Sequence, residues 1–98
     1  MAEYRLSHAA QNDLLTIARY TVRTFGAEQS KTYRDGFKAC FSLVAENPML
    51  GRIQDRIRLG LRCYEYKSHT VYYIETDGGI LIVRVLHEKQ DPARHLGS

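Results

Sequence analysis

The sequence predicts an α+β domain: an N-terminal strand, an antiparallel helical hairpin and a three-stranded antiparallel meander, with all strands in one sheet and the helices on one face. Two observations predict this class. Apolar residues recur at three- and four-residue steps before Pro48, which is the period of a helix. After Pro48 the residues alternate and are rich in tyrosine, which is typical of strands. We expect residues 1–96 to form one domain and Gly97-Ser98 to be a tail left by an expression vector.

The helical half follows a short alternating stretch, Tyr4–Leu6, which we predict to be an edge strand. Ser7 is suited to accept hydrogen bonds from the amides of a first helical turn, and Gly26 is suited to end that helix. The apolar stripe of the first helix comprises Ala10, Leu14, Ile17, Thr21 and Phe25. The stripe of the second comprises Tyr33, Phe37, Cys40, Phe41 and Val44. Asn47-Pro48 ends the second helix, and Gly36 weakens it by about 1 kcal/mol relative to alanine. The short joint between the helices implies a hairpin.

The second half begins with Met49–Leu59, which we predict to be a loop because it holds a glycine and scattered arginines. The strands Leu61–Lys67 and Thr70–Glu75 follow, and Asp77–Gly79 forms a hairpin turn because glycine permits positive φ. Ile80–Leu86 is almost continuously apolar, so we expect a central strand covered on both faces or nearly so.

The charge of the chain is concentrated in one segment. The net charge is +3. A basic ribbon, residues 52–67, holds five basic residues, Arg52, Arg56, Arg58, Arg62 and Lys67, against two acidic ones, Asp55 and Glu65, so its own balance is 5 − 2 = +3. Such a ribbon suits an acidic protein partner or a nucleic acid, although a nucleic acid usually leaves a stronger signature and a solvated basic loop has the same composition.

Several classes of protein are disfavoured by what the sequence lacks. No apolar run approaches the roughly 20 residues of a membrane span, and the N-terminus has no secretory pattern, so we expect a cytoplasmic protein. Cys40 and Cys63 are interpreted as buried apolar residues rather than a disulfide. His87 and His95, with Asp91 between them, match no zinc spacing, and there is no phosphate-binding glycine loop. We therefore expect neither metal nor cofactor.

One candidate site is a set of residues for metal-free RNA cleavage, which needs a base, an acid and a cation. The candidates are Arg84, His87 and His95. Arg84 interrupts an apolar strand, where a charged residue usually has a partner, so a structural ion pair is the alternative. His87 follows the strand, where a histidine is more often a hydrogen-bonding cap than a base. His8 and His69 are interpreted as surface or turn residues.

The other candidate site is a surface for a partner protein. Leu15, Tyr20, Val22 and Leu43 lie off the main helical stripes, and an exposed apolar surface usually marks an interface. Tyr4, Tyr20 and Tyr33 are candidates to border a groove between helices and sheet, which suits an amphipathic helix. The alternative is that the tyrosines only stabilise the sheet.

The ordered set of motifs resembles the ParE branch of the RelE/ParE toxin superfamily over nearly the whole chain. The matching pieces are Tyr4-Arg5-Leu6-Ser7, Ala10 with Asp13-Leu14, Ile17 with Tyr20, Phe25-Gly26, Tyr33, Pro48 with Gly51, Gly60 with Arg62, His69 with Tyr72-Tyr73, and Arg84-Val85-Leu86-His87 with Asp91 and Arg94-His95-Leu96. Single pieces are weak, but the order and the closing RVLH and RHL motifs are specific.

The resemblance implies the toxin of a type II toxin–antitoxin system, bound in a hetero-oligomer by a ParD-like antitoxin whose C-terminal part wraps the hairpin and sheet. The antitoxin, not the toxin alone, binds DNA. The implied target is DNA gyrase, inhibited without enzymatic activity. RelE-like relatives instead cleave mRNA on the ribosome, using basic residues and a tyrosine near the C-terminus, and no tyrosine follows Tyr73 here.

Three hypotheses follow from this resemblance. The first is a gyrase inhibitor that meets its target through Arg84, His87, Arg94 and His95. Its antitoxin would contact Tyr20 and Tyr33 on the outward face of the hairpin, and Arg58 and Arg62 of the basic ribbon. The second is a ribosome-dependent mRNA endoribonuclease that uses Arg84, His87 and His95. The third is a binding module that has lost toxicity and only pairs with its antitoxin.

Overall fold

A computed structural model describes residues 2–96 of the protein. The helices are α1 (His8–Phe25), α2 (Ala27–Glu46) and α3 (Pro92–Leu96), with a 3₁₀ turn at Pro48–Leu50. The strands are β1 (Glu3–Leu6), β2 (Arg52–Ile53), β3 (Leu61–Tyr66), β4 (His69–Thr76) and β5 (Gly79–His87). The predicted fold class is confirmed: an N-terminal strand, a helical hairpin and an antiparallel meander share one sheet. The expected vector tail, Gly97-Ser98, lies outside the described residues.

The sheet has the strand order β1-β5-β4-β3-β2 within the described chain. The three strands of the meander, β3, β4 and β5, pair antiparallel. β1 lies at one edge, as predicted, and pairs parallel with β5 because the helical hairpin carries the chain across one face of the sheet between them. The predicted loop Met49–Leu59 differs from the structure, since it contains β2, which pairs with β3 at the other edge.

The helical hairpin is joined by the single residue Gly26, whose φ of 94° favours glycine. Ser7 caps α1 as predicted, accepting the N–H of Ala10 at 3.0 Å. Phe25 was expected on the buried stripe but is 64% exposed, because α1 ends there and the ring lies at the rim of a groove instead of in the core. Among residues 2–96, no helix is long and apolar enough to cross a membrane.

Two apolar clusters lie on opposite faces of the sheet. The larger, between the hairpin and the sheet, includes Phe37, Phe41, Val44, Val71, Tyr73, Ile82 and Val85. The smaller, on the other face, includes Leu61, Cys63, Tyr72, Leu86 and Leu96 of α3. Both faces of β5 are therefore covered, as predicted. Cys40 belongs to the first cluster and Cys63 to the second, and both are free thiols. Burial raises the pKa of Cys40 to about 11.

Two close approaches hold the sheet against the segments that cover it. Gly36 of α2 faces the phenol of Tyr66, and a Cβ at position 36 would collide with that ring. This glycine is therefore needed for helix–sheet contact, not merely tolerated in the helix. The hydroxyl of Tyr73 donates to the carbonyl of Pro48 at 2.7 Å and accepts the N–H of Gly51 at 2.8 Å. Tyr73 thereby holds the 3₁₀ turn and the start of β2 on the sheet.

Candidate functional site

A groove runs between the helical hairpin and the sheet, and it consists of two adjoining pockets. The apolar pocket has a volume of about 280 Å³ and is walled by β1, α1 and α2. Its walls include Tyr4, Leu6, Leu14, Phe37 and Phe41. The histidine pocket is larger, about 660 Å³, and is walled by α1, the start of α2, and the adjacent ends of β4 and β5. Its walls include Tyr20, Phe25, Lys67, His69 and His87. Ile17, Thr21 and Tyr33 line both pockets, so the groove is continuous.

The histidine pocket is built on a cross-strand pair. His69 begins β4 and His87 ends β5, and the two are register partners. Their ring centroids lie 5.2 Å apart with the planes at 88°. Tyr33 from α2 places its hydroxyl 2.7 Å from Nδ1 of His69. Burial and the neighbouring His87 lower the pKa of His69, which favours the neutral imidazole.

His87 has the capping role that the sequence left open. Its ring Nδ1 accepts the backbone N–H of Lys89 at 3.1 Å, and its backbone N–H donates to Oε1 of Gln90 at 2.7 Å. These hydrogen bonds close the turn after β5, and Nε2 of His87 stays available to other partners. His69 was interpreted from the sequence as a surface or turn residue, but it is half-buried and hydrogen-bonded within the groove.

Arg84 forms the structural ion pair that the sequence offered as the alternative to catalysis. Its Nε and Nη2 each donate to the carboxylate of Asp13 at 2.8 Å, with side chains 20% and 14% exposed. The same carboxylate accepts the N–H of Val85 at 2.9 Å. These hydrogen bonds raise the pKa of Arg84 and commit its planar guanidinium to α1.

The residues proposed for RNA cleavage do not assemble into an acid–base pair. His95 is exposed on α3, beside exposed Arg94, and meets Arg84 only through its backbone carbonyl at 3.5 Å. Across residues 2–96, no hydrogen bond or ion pair joins His87 to Arg84 or His95. The role of Arg84, His87, Arg94 and His95 in target contact stays a prediction. No group of three His, Cys, Asp or Glu side chains within this range could hold a metal ion.

The residues predicted to meet an antitoxin divide between two places. Tyr20, which is 57% exposed, and half-buried Tyr33 both line the histidine pocket, so the predicted groove is present. Tyr33, however, faces into this groove and not onto the outward face of the hairpin, because its hydroxyl and ring contact His69. Arg58 is exposed on the loop before β3. Arg62 is half-buried, and its Nη1 donates to the carbonyl of Gly51 at 2.8 Å.

Other parts of these surfaces agree with the sequence analysis. Leu15, Val22 and Leu43 are exposed, as expected. Of the basic ribbon, residues 52–67, only Lys67 lines the groove. The ribbon and the groove are therefore separate surfaces that approach each other at the turn between β3 and β4.

One site residue, Asp13, and one contact were missed by the sequence analysis. Asp13 is the lone carboxylate of α1, and Arg84 is the lone charge within the apolar run of β5. A lone carboxylate in one element and a lone charge in the apolar run of another are a signal that could have paired them. The contact of Tyr33 with His69 has no comparable signal, because it depends on how far α2 reaches over the sheet.

Comparison of the sequence with known proteins places this chain among toxins. A family model described as "ParE toxin of type II toxin-antitoxin system, parDE" matches residues 4–92. A protein of Caulobacter vibrioides named Toxin ParE1 is 35% identical over 97 residues, which cover 99% of this chain and 100% of that relative. A Toxin ParE1 of Mycobacterium tuberculosis is 38% identical over 96 residues, which cover 97% of this chain and 98% of the relative.

A solved structure shares the fold. The chain described as "Chromosomal ParDE TA system from P. aeruginosa" superposes with a TM-score of 0.75. The match covers 89% of this chain and 96% of that chain, at 16% sequence identity.

Proposed function

The chain belongs to the ParE toxin family of type II toxin–antitoxin systems, and from this premise we propose that it inhibits DNA gyrase without enzymatic activity and is held inactive by a ParD-type antitoxin. The observation that carries the non-enzymatic part is the pairing of Arg84 with Asp13. A guanidinium whose Nε and Nη2 are both held by one carboxylate is poorly placed to stabilise the charge of a cleavage transition state.

The nuclease hypothesis has further weaknesses. A metal-free ribonuclease needs its base and acid on opposite sides of the same phosphate. Nδ1 of His87 already accepts a hydrogen bond from the turn after β5, and His95 lies exposed on α3. The chain also has no tyrosine after Tyr73 to complete a site of the RelE kind. These features favour action by binding over action by cleavage.

The groove supports an antitoxin partner. Its apolar pocket joins an exposed apolar surface on α1 that includes Leu15, and a groove of this kind suits one amphipathic helix. A solved relative described as a ParDE system names such a pair. We propose that the antitoxin segment lies in this groove, with Tyr20 at its rim and Tyr33 on its floor.

Controlled expression in bacteria tests this function. The toxin is induced alone and together with the ParD-type antitoxin of its operon, and the synthesis of DNA and protein is followed by labelled precursors. We expect growth arrest in which DNA synthesis stops before protein synthesis, and rescue by the antitoxin. An early fall in protein synthesis with cleaved messages would contradict gyrase as the target. Growth without arrest would favour a module that has lost toxicity.

The nuclease alternative makes its own demand on Arg84. Under it, Arg84→Ala abolishes cleavage of ribosome-bound message while the variant remains folded. A wild-type protein that leaves such message intact removes the alternative without any variant.

A further inference from the structure

The groove is lined by positive charge and by no negative charge. Among the described residues that wall its two pockets, the charged ones are Arg34, Lys38 and Lys67, and none is Asp or Glu. A concave surface with charges of one sign attracts a ligand of the opposite sign. The occupant that fits this groove is therefore an apolar segment that carries acidic side chains.

At the end of the groove that holds Lys67, the two histidines add a pair of ring nitrogens without partners among residues 2–96. Nδ1 of His69 is taken by Tyr33, and Nδ1 of His87 is taken by the N–H of Lys89. Neither Nε2 has a hydrogen-bond partner within the described chain, and both are accessible to solvent. Each Nε2 can bear a proton and then donate to an arriving acceptor.

The groups around His69 do not already supply a counter-ion inside the pocket. The titratable neighbours are Tyr33 from α2, Tyr66 and Lys67 from the β3 side, His87 and Glu88 from the end of β5, and Asp13 from α1. Of the two carboxylates, Asp13 is held by Arg84, and Glu88 is exposed past the end of β5. Neither lines the pocket.

We propose that the histidine pocket binds a carboxylate side chain of the antitoxin segment that occupies the groove, and that the complex takes up a proton at His69 as it forms. This inference rests on the proposed function, which supplies the antitoxin as the partner. It adds that the acidic residue of the antitoxin lies at the end of the groove formed by the histidine pocket. The apolar residues of the segment face Leu14 and Phe41, and its acidic residue faces the two histidines.

The direction of the pH effect follows from the charges. In the uncomplexed toxin, burial and His87 lower the pKa of His69, so the ring is neutral at neutral pH. A carboxylate within hydrogen-bond distance favours the charged ring and raises that pKa on binding. The complex then holds more protons than its separated parts. Its dissociation constant therefore falls as the pH is lowered, by up to about tenfold per pH unit for each proton taken up.

Titration calorimetry of the whole toxin with its antitoxin measures this directly. Binding is compared at acidic and alkaline pH, roughly one unit either side of neutrality, in buffers of different ionisation enthalpy, which reports the protons exchanged. We expect net proton uptake and affinity at least about fivefold tighter at the acidic pH, the size that one partially shifted histidine gives.

Matched variants assign the proton. His69→Gln should remove the uptake and the pH dependence. His8→Gln, a change of an exposed histidine at the start of α1, should leave both unchanged. A change of one antitoxin Asp or Glu to its amide should remove the uptake in the wild-type toxin and have no further effect in His69→Gln.

The outcomes separate this inference from the proposed function. Absence of antitoxin binding at every pH overturns the proposed function and this inference with it. Binding that is tight, takes up no proton and is equal at both pH values overturns the inference alone. Proton uptake that persists in His69→Gln also overturns it. Acetate carries the same carboxylate group as a small molecule. If acetate binds in the pocket while the affinity for the antitoxin does not change with pH, the proposal that the antitoxin supplies the carboxylate is overturned.

Discussion

The carboxylate of Asp13 holds the guanidinium of Arg84 by two hydrogen bonds of 2.8 Å and also accepts the N–H of Val85 at 2.9 Å. This relationship closes the free edge of β5. β1 pairs with β5 only as far as Ile82, and Ser7 then donates from its hydroxyl to the carbonyl of Val83 at 2.7 Å. The start of α1 thus takes over where β1 ends, and the exposed edge that would invite another strand is covered.

Removal of this carboxylate should destabilise the fold. In Asp13→Ala, the cation of Arg84 and the N–H of Val85 both lose their acceptor, and we expect a loss of about 2–4 kcal/mol in the free energy of unfolding. Urea denaturation followed by circular dichroism measures it. Asp35→Ala, at an exposed aspartate of α2, is the matched control and should change the value by less than about 0.5 kcal/mol. Equal stability of the two variants would mean that the pair contributes nothing.

Gly36→Ala should destabilise the protein although alanine is the better helix former. Helix propensity alone favours alanine by about 1 kcal/mol. The added Cβ would collide with the ring of Tyr66, however, so we expect a net loss of about 1–3 kcal/mol. A thermal melt of Gly36→Ala, with Tyr66→Phe and the double variant, measures the coupling. Since the phenol oxygen is the atom nearest to the added methyl group, Tyr66→Phe should recover part of the loss. A more stable Gly36→Ala would refute the close contact.

Removal of the Tyr73 hydroxyl should destabilise the fold more than removal of the Tyr64 hydroxyl. Tyr73→Phe leaves the carbonyl of Pro48 and the N–H of Gly51 without their buried partner, and we expect a loss of about 1–3 kcal/mol. Tyr64→Phe is the control, because the Tyr64 hydroxyl makes no side-chain hydrogen bond within residues 2–96. Chemical denaturation of both variants decides the matter. Similar small losses in the two would count against an anchoring role for Tyr73.

The uncomplexed toxin should lose stability at mildly acidic pH through His69. Its folded pKa lies below the unfolded value of about 6.5, so the native state prefers the neutral ring. The stability that depends on neutral His69 is present above about pH 6.5 and is lost as the pH falls through the lower, folded pKa. Melting temperatures measured across this range should fall less steeply in His69→Gln than in the wild type. An identical slope in both proteins would show that His69 does not set it, and His8→Gln should follow the wild type.

Much of the fold was predictable because periodicity reports burial. The helical stripe of α1 and the apolar run of β5 both exist because each element has a face on the same core. The edge position of β1 was also predictable, but its parallel pairing with β5 depends on the path of the hairpin. The short strand β2 was not predictable, since two residues carry no period.

The candidate site was predictable in its residue types more than in its geometry. A charged residue in the apolar run of β5 pointed to a partner for Arg84, and the structure identifies Asp13, 71 residues away, as that partner. The groove bordered by Tyr4, Tyr20 and Tyr33 was expected, and both pockets contain members of that set. The pairing of His69 with His87 was not expected, because cross-strand register depends on the turn lengths and on the bulge between Tyr72 and Tyr73.

A supercoiling assay with purified DNA gyrase distinguishes a toxin that acts on gyrase by binding from one that acts on RNA by cleavage. Relaxed plasmid, gyrase and ATP are incubated with increasing toxin, with and without antitoxin, and the products are separated with and without protein digestion. A toxin that binds gyrase should cause loss of supercoiling and accumulation of gyrase-linked broken DNA, both prevented by the antitoxin. Unchanged supercoiling and no broken DNA, together with arrest of translation in an extract at the same toxin concentration, would contradict action on gyrase.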